Sequence, residues 1–302
     1  MSQPFFAQPL MSNGFPLTTN PERLGWLVPS DPALPMSQLR TQYQTQGYLW
    51  LKGLLPRQQI LALRRRFFAL FAETGLLAPD SDPVDGLFSG KSLSPEVLQR
   101  LWMEATHLPE YRELCFSPHI WRFYEAFLGG SLHLHQRKLV RFTTPGDPAC
   151  TGGHYDLIYL RAGTDQICTS WLPLGDTPVE MGGLVYLQGS DALGRKMEAD
   201  FTRKNADLPL QERISAYNKH MASGGWINKD LSALANLIDG TWLLANYEGG
   251  DMVVHSPYMI HASTVNFDAH KRMRLSTDIR YQLQSEKIDP RWTNEYHPND
   301  NL

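Results

Sequence analysis

The chain has 302 residues, of which 42% are hydrophobic, and a formal net charge of -3. That length and apolar content can bury a substantial core, while the charge offers no long-range attraction to nucleic acid or to anionic lipid. Three cysteines, Cys115, Cys150 and Cys168, are odd in number and lack metal or redox spacing, and no apolar run approaches the ~20 residues of a membrane span. With no basic, apolar start typical of a signal peptide, the expected location is cytoplasmic.

Residues 1–35 carry seven prolines with no period and read as an irregular N-terminal arm, ahead of a single domain over 36–302. A polar helix over 37–46 leads into a short strand at 47–51. Over 57–72, Ile60, Leu63, Phe67 and Leu70 or Phe71 recur at helical spacing and form a core-facing stripe. Arg64, Arg65 and Arg66 in the same segment read as its solvated face. Ser94-Pro95 and Ser117-Pro118 each place an N-cap candidate before a proline at the first helical position.

Beyond Gly130 the pattern turns extended. Strands are expected at 132–142, 154–160, 166–172, 183–187, 252–254, 260–265 and 272–281, a run of short strands that suggests a sandwich or closed roll. Residues 191–241 interrupt the run with helices expected at 209–221 and 228–237, and read as a lid at a strand end.

Within the strand expected at 154–160, His154 and Asp156 alternate onto one face, placing an imidazole beside a carboxylate. A second imidazole would complete the two-histidine, one-carboxylate triad that holds non-haem Fe(II) with positions left open. Such a short motif arises by chance, and a lone histidine on a half-buried strand is more often a hydrogen-bonded core residue. Two further candidates, His255 and His261, lie in the apolar stretch after Gly249-Gly250-Asp251. Eleven residues past His261, Arg272 opens a strand on which Arg272, Arg274 and Ser276 share a face. An inward arginine there would meet either an anionic ligand or an internal carboxylate such as Asp278 or Glu180.

Together, His154-x-Asp156, Thr169-Ser-Trp171, Glu180-Met-Gly-Gly-Leu184, Gln188-Gly-Ser190, Gly250-Asp251, His261-Ala-Ser263 and Arg272-x-x-x-Ser276 resemble the phytanoyl-CoA dioxygenase family of Fe(II)/2-oxoglutarate oxygenases. The resemblance runs over roughly residues 40–282. It implies a double-stranded β-helix, a cupin-like jelly roll of mainly β structure with flanking helices. By residue it implies His154, Asp156 and His261 as iron ligands and as the catalytic set. Arg272, Ser263 and Gln136 would be contacts to the 2-oxoglutarate cosubstrate, with O2 as the oxidant. The implied activity is a dioxygenase that hydroxylates a small-molecule metabolite and releases succinate and CO2. Because Asp156 is present, no ligand position is vacated for chloride, which argues against halogenation. The resemblance departs at Asp191, where many relatives carry histidine. His255 is left as a pocket or core residue, and Trp171 as either a pocket wall or core. Two competing readings are a cupin-like metal-binding protein without chemistry and a metalloenzyme on the same fold that does not use 2-oxoglutarate.

Overall fold

A computed structural model of the chain describes residues 6, 9–18, 20–209, 212–213 and 226–295. Its helices are α1 (Met36–Gln46), α2 (Arg57–Ala69), α3 (Pro95–Thr106), α4 (Pro109–Cys115), α5 (Pro118–Tyr124), α6 (Leu157–Leu160), α7 (Ser190–Lys204) and α8 (Leu231–Asn236). Its strands begin with a small hairpin, β1 (Met11–Ser12) and β2 (Phe15–Pro16), and β3 (Leu24–Trp26). They continue as β4 (Tyr48–Leu51), β5 (Leu132–Leu134), β6 (Leu139–Thr143), β7 (Cys168–Pro173), β8 (Leu184–Leu187), β9 (Trp242–Leu244), β10 (Met252–His255), β11 (His261–Ser263) and β12 (Arg274–Leu283).

The larger sheet runs β4-β10-β7-β12-β5, with β6 also pairing β12; the smaller runs β11-β8-β9-β3. Strand alternation divides the larger sheet between two environments. Leu49, Leu51, Leu172, Met252, Val254, Leu275 and Ile279 face outward and join Ile60, Leu63, Phe67, Phe68 and Phe71 in one core under the helices. Each such side chain contributes on the order of 2 kcal/mol by leaving water. Tyr48, Trp50, Trp171 and Val253, from the alternate positions, meet Leu184, Tyr186 and Leu243 of the smaller sheet inside the roll. A third cluster, with Leu187, Leu231, Leu234 and Trp242, covers the far face of the smaller sheet and takes in Leu10 and Leu17. This is the expected β core with helices packed on one sheet.

Local chemistry explains several element ends. Ser94 accepts from the Val97 amide and Pro95 opens α3, as expected. Ser117 makes no such bond, so only Pro118 marks the start of α5. The N-terminal arm is not wholly irregular, since Leu24–Trp26 pairs in parallel with Trp242–Leu244 and closes the edge of the smaller sheet. Arg64 is buried, contrary to a solvated triplet. It donates to the carbonyls of Val84, Leu174, Asp85 and Met273, and so clamps α2 to the strand ends.

Two larger differences bear on the site. The expected strand at 154–160 is a single bridge, His154 opposite His261, followed by α6. An apolar run this short serves either period, and packing decides: Leu157, Ile158 and Leu160 bury against the outer core of the smaller sheet. The expected strand at 132–142 breaks into β5 and β6 around residues 135–138. Of the two helices expected in 191–241, the second is α8, capped by Asp230 on the Ala233 amide, while most of the first lies outside the described residues.

Candidate active site

The two imidazoles are brought together by their own backbones. His154 N–H donates to His261 O at 3.1 Å and His261 N–H donates back to His154 O at 2.9 Å. The ring centroids consequently stand 4.3 Å apart. Each ring is then turned by a local bond from Nδ1, at 2.9 Å, to Gly152 O for His154 and to Met259 O for His261. A carbonyl oxygen can only accept, so each Nδ1 carries a proton, and in the neutral ring this leaves the lone pair on Nε2. Burial, reinforced by the neighbouring rings of His154 and His255, pushes the His261 imidazole well below its ordinary range and so keeps it neutral.

Asp156 supplies the carboxylate from a helical backbone conformation, φ -66° and ψ -30°, at the entry to α6. Its Oδ1 lies 3.7 Å from His154 Nε2 and 3.8 Å from His261 Nε2. Its Oδ2 faces the other way, accepting from Thr169 Oγ1 and, at 3.0 Å, from Arg280 Nη2. Burial by itself would raise this carboxyl, but Arg280 with the surrounding imidazoles holds it well below the usual range. One ligand atom each from His154, Asp156 and His261 fits within 4.8 Å, a donor set suited to a divalent metal.

His255 stands behind this group. Its Nε2 is 3.5 Å from Asp156 Oδ2, and its Nδ1 is 3.1 Å from the Tyr186 hydroxyl. Strand register places it directly across the sheet from Thr169. Trp171 packs on Tyr247 at a centroid distance of 4.6 Å, inside the roll. Asp191 accepts from Arg195 and Ser256 at the start of α7.

A cavity of about 270 Å³ opens beside the triad, lined by Arg137, Arg141, Thr151, Trp226, Arg280 and Trp292 together with His154 and Asp156. Of the expected cosubstrate residues, Ser263 is buried next to it and accepts from the Thr151 amide at 2.9 Å. Gln136 is not among the lining residues, although its neighbour Arg137 is.

Arg272 departs from its expected place. It is held outside the roll by both carboxylate oxygens of Asp268, at 2.6 and 3.1 Å, with 35% of its side chain exposed. Arg274, the first residue of β12, is buried instead. Its Nη1 donates to Gly182 O, its Nε has no partner, and among the described residues no carboxylate pairs with it. Burial, with Arg141 adding to it, pulls its pKa down to about 10, the signature of a cation short of negative charge. Gly182, whose carbonyl accepts from Arg274, packs on the backbone that follows Ser263: a methyl group there would meet Thr264 O.

The sequence profile of phytanoyl-CoA dioxygenase (PhyH) matches residues 43–273. The chain belongs to the phytanoyl-CoA dioxygenase family. It is therefore a non-haem iron, 2-oxoglutarate-dependent enzyme, and iron, 2-oxoglutarate and O2 are its cofactor set.

Solved structures of distant relatives share the fold. The α-ketoglutarate-dependent epimerase SnoN from nogalamycin biosynthesis, in complex with Fe3+, α-ketoglutarate and nogalamycin RO, is 19% identical over 86% of this chain and 88% of its own, with a TM-score of 0.55. The carbocyclase SnoK from the same biosynthesis is 16% identical over 87% and 90%, with a TM-score of 0.53. EctD from S. alaskensis is 12% identical over 93% and 88%, with a TM-score of 0.55. No curated protein matches. Among the described residues no helix is long and apolar enough to cross a membrane.

Thr169 opens one of the motifs that carry the resemblance but has no role from sequence, and Arg280, Arg137 and Trp292 have none either. Continuing the alternation of Arg272, Arg274 and Ser276 two steps reaches Arg280, so that signal was present. For Trp292, in the tail beyond the recognised motifs, no signal existed.

Proposed function

We propose that His154, Asp156 and His261 hold one Fe(II), and that the enzyme hydroxylates a small-molecule metabolite in a reducing compartment, the cytoplasm. The reading rests on one observation: two imidazoles, each with its Nδ1 bonded to a carbonyl, and the Asp156 carboxylate bring one ligand atom apiece within 4.8 Å of one another. The bound iron with 2-oxoglutarate and O2 would supply the oxidising equivalent, releasing succinate and CO2.

The protein's own residues do the remaining work. Thr169 and Arg280 keep Asp156 Oδ2 turned away from His154 and His261 and leave Oδ1 for the metal. Arg274, and not Arg272, is the guanidinium that would anchor the far carboxylate of 2-oxoglutarate, with Ser263 beside it, because a buried cation without an anion is the better receptor. The indole of Trp226 lies against Gly152, where an added Cβ would come within 2.8 Å of it, and so screens the turn before His154 from water. The three cysteines are free and buried, in keeping with a reducing location.

The deciding experiment measures Fe(II) stoichiometry under nitrogen, then succinate formation from 2-oxoglutarate on admitting air with a panel of metabolites. Iron binding at one per chain with O2-dependent succinate is expected. Metal binding without any 2-oxoglutarate turnover would move the assignment to a cosubstrate-independent metalloenzyme.

A further inference from the structure

Trp292 stands between the two supports of Asp156. Its Nε1–H donates to Tyr159 O at 3.2 Å, within the short helix α6 that begins directly after Asp156. Over its ring lies the Arg280 guanidinium, 4.6 Å from the centroid, and Arg280 Nη2 in turn donates to Asp156 Oδ2 at 3.0 Å. One indole therefore touches both the backbone that carries the carboxylate and the cation that pairs with it. Trp292 is 4% exposed and also lines the cavity beside the triad.

Arg280 depends on that ring more than a fully paired arginine would. Two parallel N–H groups on a carboxylate fix the plane of a guanidinium, but here Nη2 alone reaches Asp156, while Nε and Nη1 are buried without a hydrogen-bond partner. A single bond leaves the plane free to turn about it. The ring face removes that freedom and adds a cation–π attraction in a buried site. The indole is itself anchored, because the tail that carries it is tied back to the roll. Arg291 Nη2 donates to the same Tyr159 O at 2.8 Å, the Arg137 N–H donates to Trp292 O at 3.3 Å, and Lys138 pairs with Glu295 at 3.1 Å. Trp292 and Arg280 both lie beyond residues 43–273, so the family match assigns neither of them a role.

We propose that Trp292 is a positioning residue for the metal site: by holding the plane of Arg280 it keeps Asp156 Oδ2 engaged and leaves Oδ1 for the metal. The inference rests on the metal-site reading above and extends that site into the C-terminal tail. If the indole only fills the apolar cluster that also contains Leu157 and Leu160, its loss acts without Arg280. A double-mutant cycle separates the two roles.

The full-length protein is titrated with Co(II) under nitrogen, and both the affinity and the visible absorption bands of the bound ion are followed. Trp292→Leu should weaken Co(II) binding by about 10-fold or more and shift those bands. Trp292→Phe, which keeps a ring face for Arg280 but loses the Nε1 bond, should stay within about 3-fold of wild type with unshifted bands. In an Arg280→Gln background, Trp292→Leu should change the affinity by less than about 3-fold further. Circular dichroism shows whether each variant is folded, and if Arg280→Gln is not, the comparison of Trp292→Leu with Trp292→Phe carries the test.

Unchanged affinity in Trp292→Leu, equal losses in the Leu and Phe variants, or additive losses in the double variant each overturn the positioning role and return Trp292 to packing. If the wild-type protein takes up no Co(II), the metal-site reading falls, and this inference falls with it.

Discussion

His255 and His261 lie in one apolar stretch, and the structure places both imidazoles within 4 Å of Asp156, at 3.5 and 3.8 Å. Only His261 shares an oxygen with His154; His255 touches the other oxygen, behind the carboxylate. His261→Ala should therefore abolish Fe(II) binding measured by anaerobic titration, while His255→Ala retains most of it; the opposite ranking would show the wrong histidine was chosen. The arginines divide in a similar way. Arg274→Ala should weaken 2-oxoglutarate binding by roughly 30- to 1,000-fold, on the order of 2 to 4 kcal/mol, because it removes the partner of a carboxylate in a dry site. Arg272→Ala should stay within about 3-fold, since its charge already answers Asp268. A larger loss from Arg272 would put the cosubstrate at the rim of the roll. Sequence alternation could place these arginines on one face but could not choose between them. Asp268, which removes Arg272 from contention, lies in the turn before the strand, where alternation says nothing.

At the level of elements, the helical layer was legible because its stripes are long enough to show a 3.6-residue period, as in α2. The segment carrying the first two ligands was not, for Leu157, Ile158 and Leu160 suit either a strand or a turn of helix, and only the core beneath them decides. Its position also depends on a close approach that no pattern announces. A Cβ on Gly153 would come within 2.4 Å of Leu234 Cδ2 in α8 and 3.4 Å of Asn228 O. Gly153→Ala should therefore push the His154 segment off the helix, lowering metal affinity by about 10-fold or more while circular dichroism stays close to wild type. Unchanged affinity would mean α8 yields without moving the ligands.

Across the whole molecule, three apolar clusters share strands, so the helices, the roll and the outer face of the smaller sheet depend on one another. Buried histidines then make stability fall toward acid. His135, bonded to Gln282 at 2.8 Å, is brought down by burial from 6.5 to about 4. An unfolded chain takes up that proton first, so the contribution is complete above about pH 6.5 and is lost progressively down to about pH 4, at most on the order of 3 kcal/mol. His133 shifts the same way through burial, as does His261 in metal-free protein. Thermal melts of the metal-free protein should show Tm dropping across that window, with a shallower slope in His135→Gln. An equal slope would place the acid sensitivity elsewhere.

The paired amides of His154 and His261 carry a kinetic consequence. On the proposed ligand set, the two imidazoles that hold the ion are also the two partners of one rung, and parting of that rung would release both at once. Metal off-rate and hydrogen exchange at these two amides should therefore rise together under mild urea, as two readouts of one local opening event. An ion that escapes quickly while both amides remain protected would mean the rings let go one at a time, with the backbone still closed.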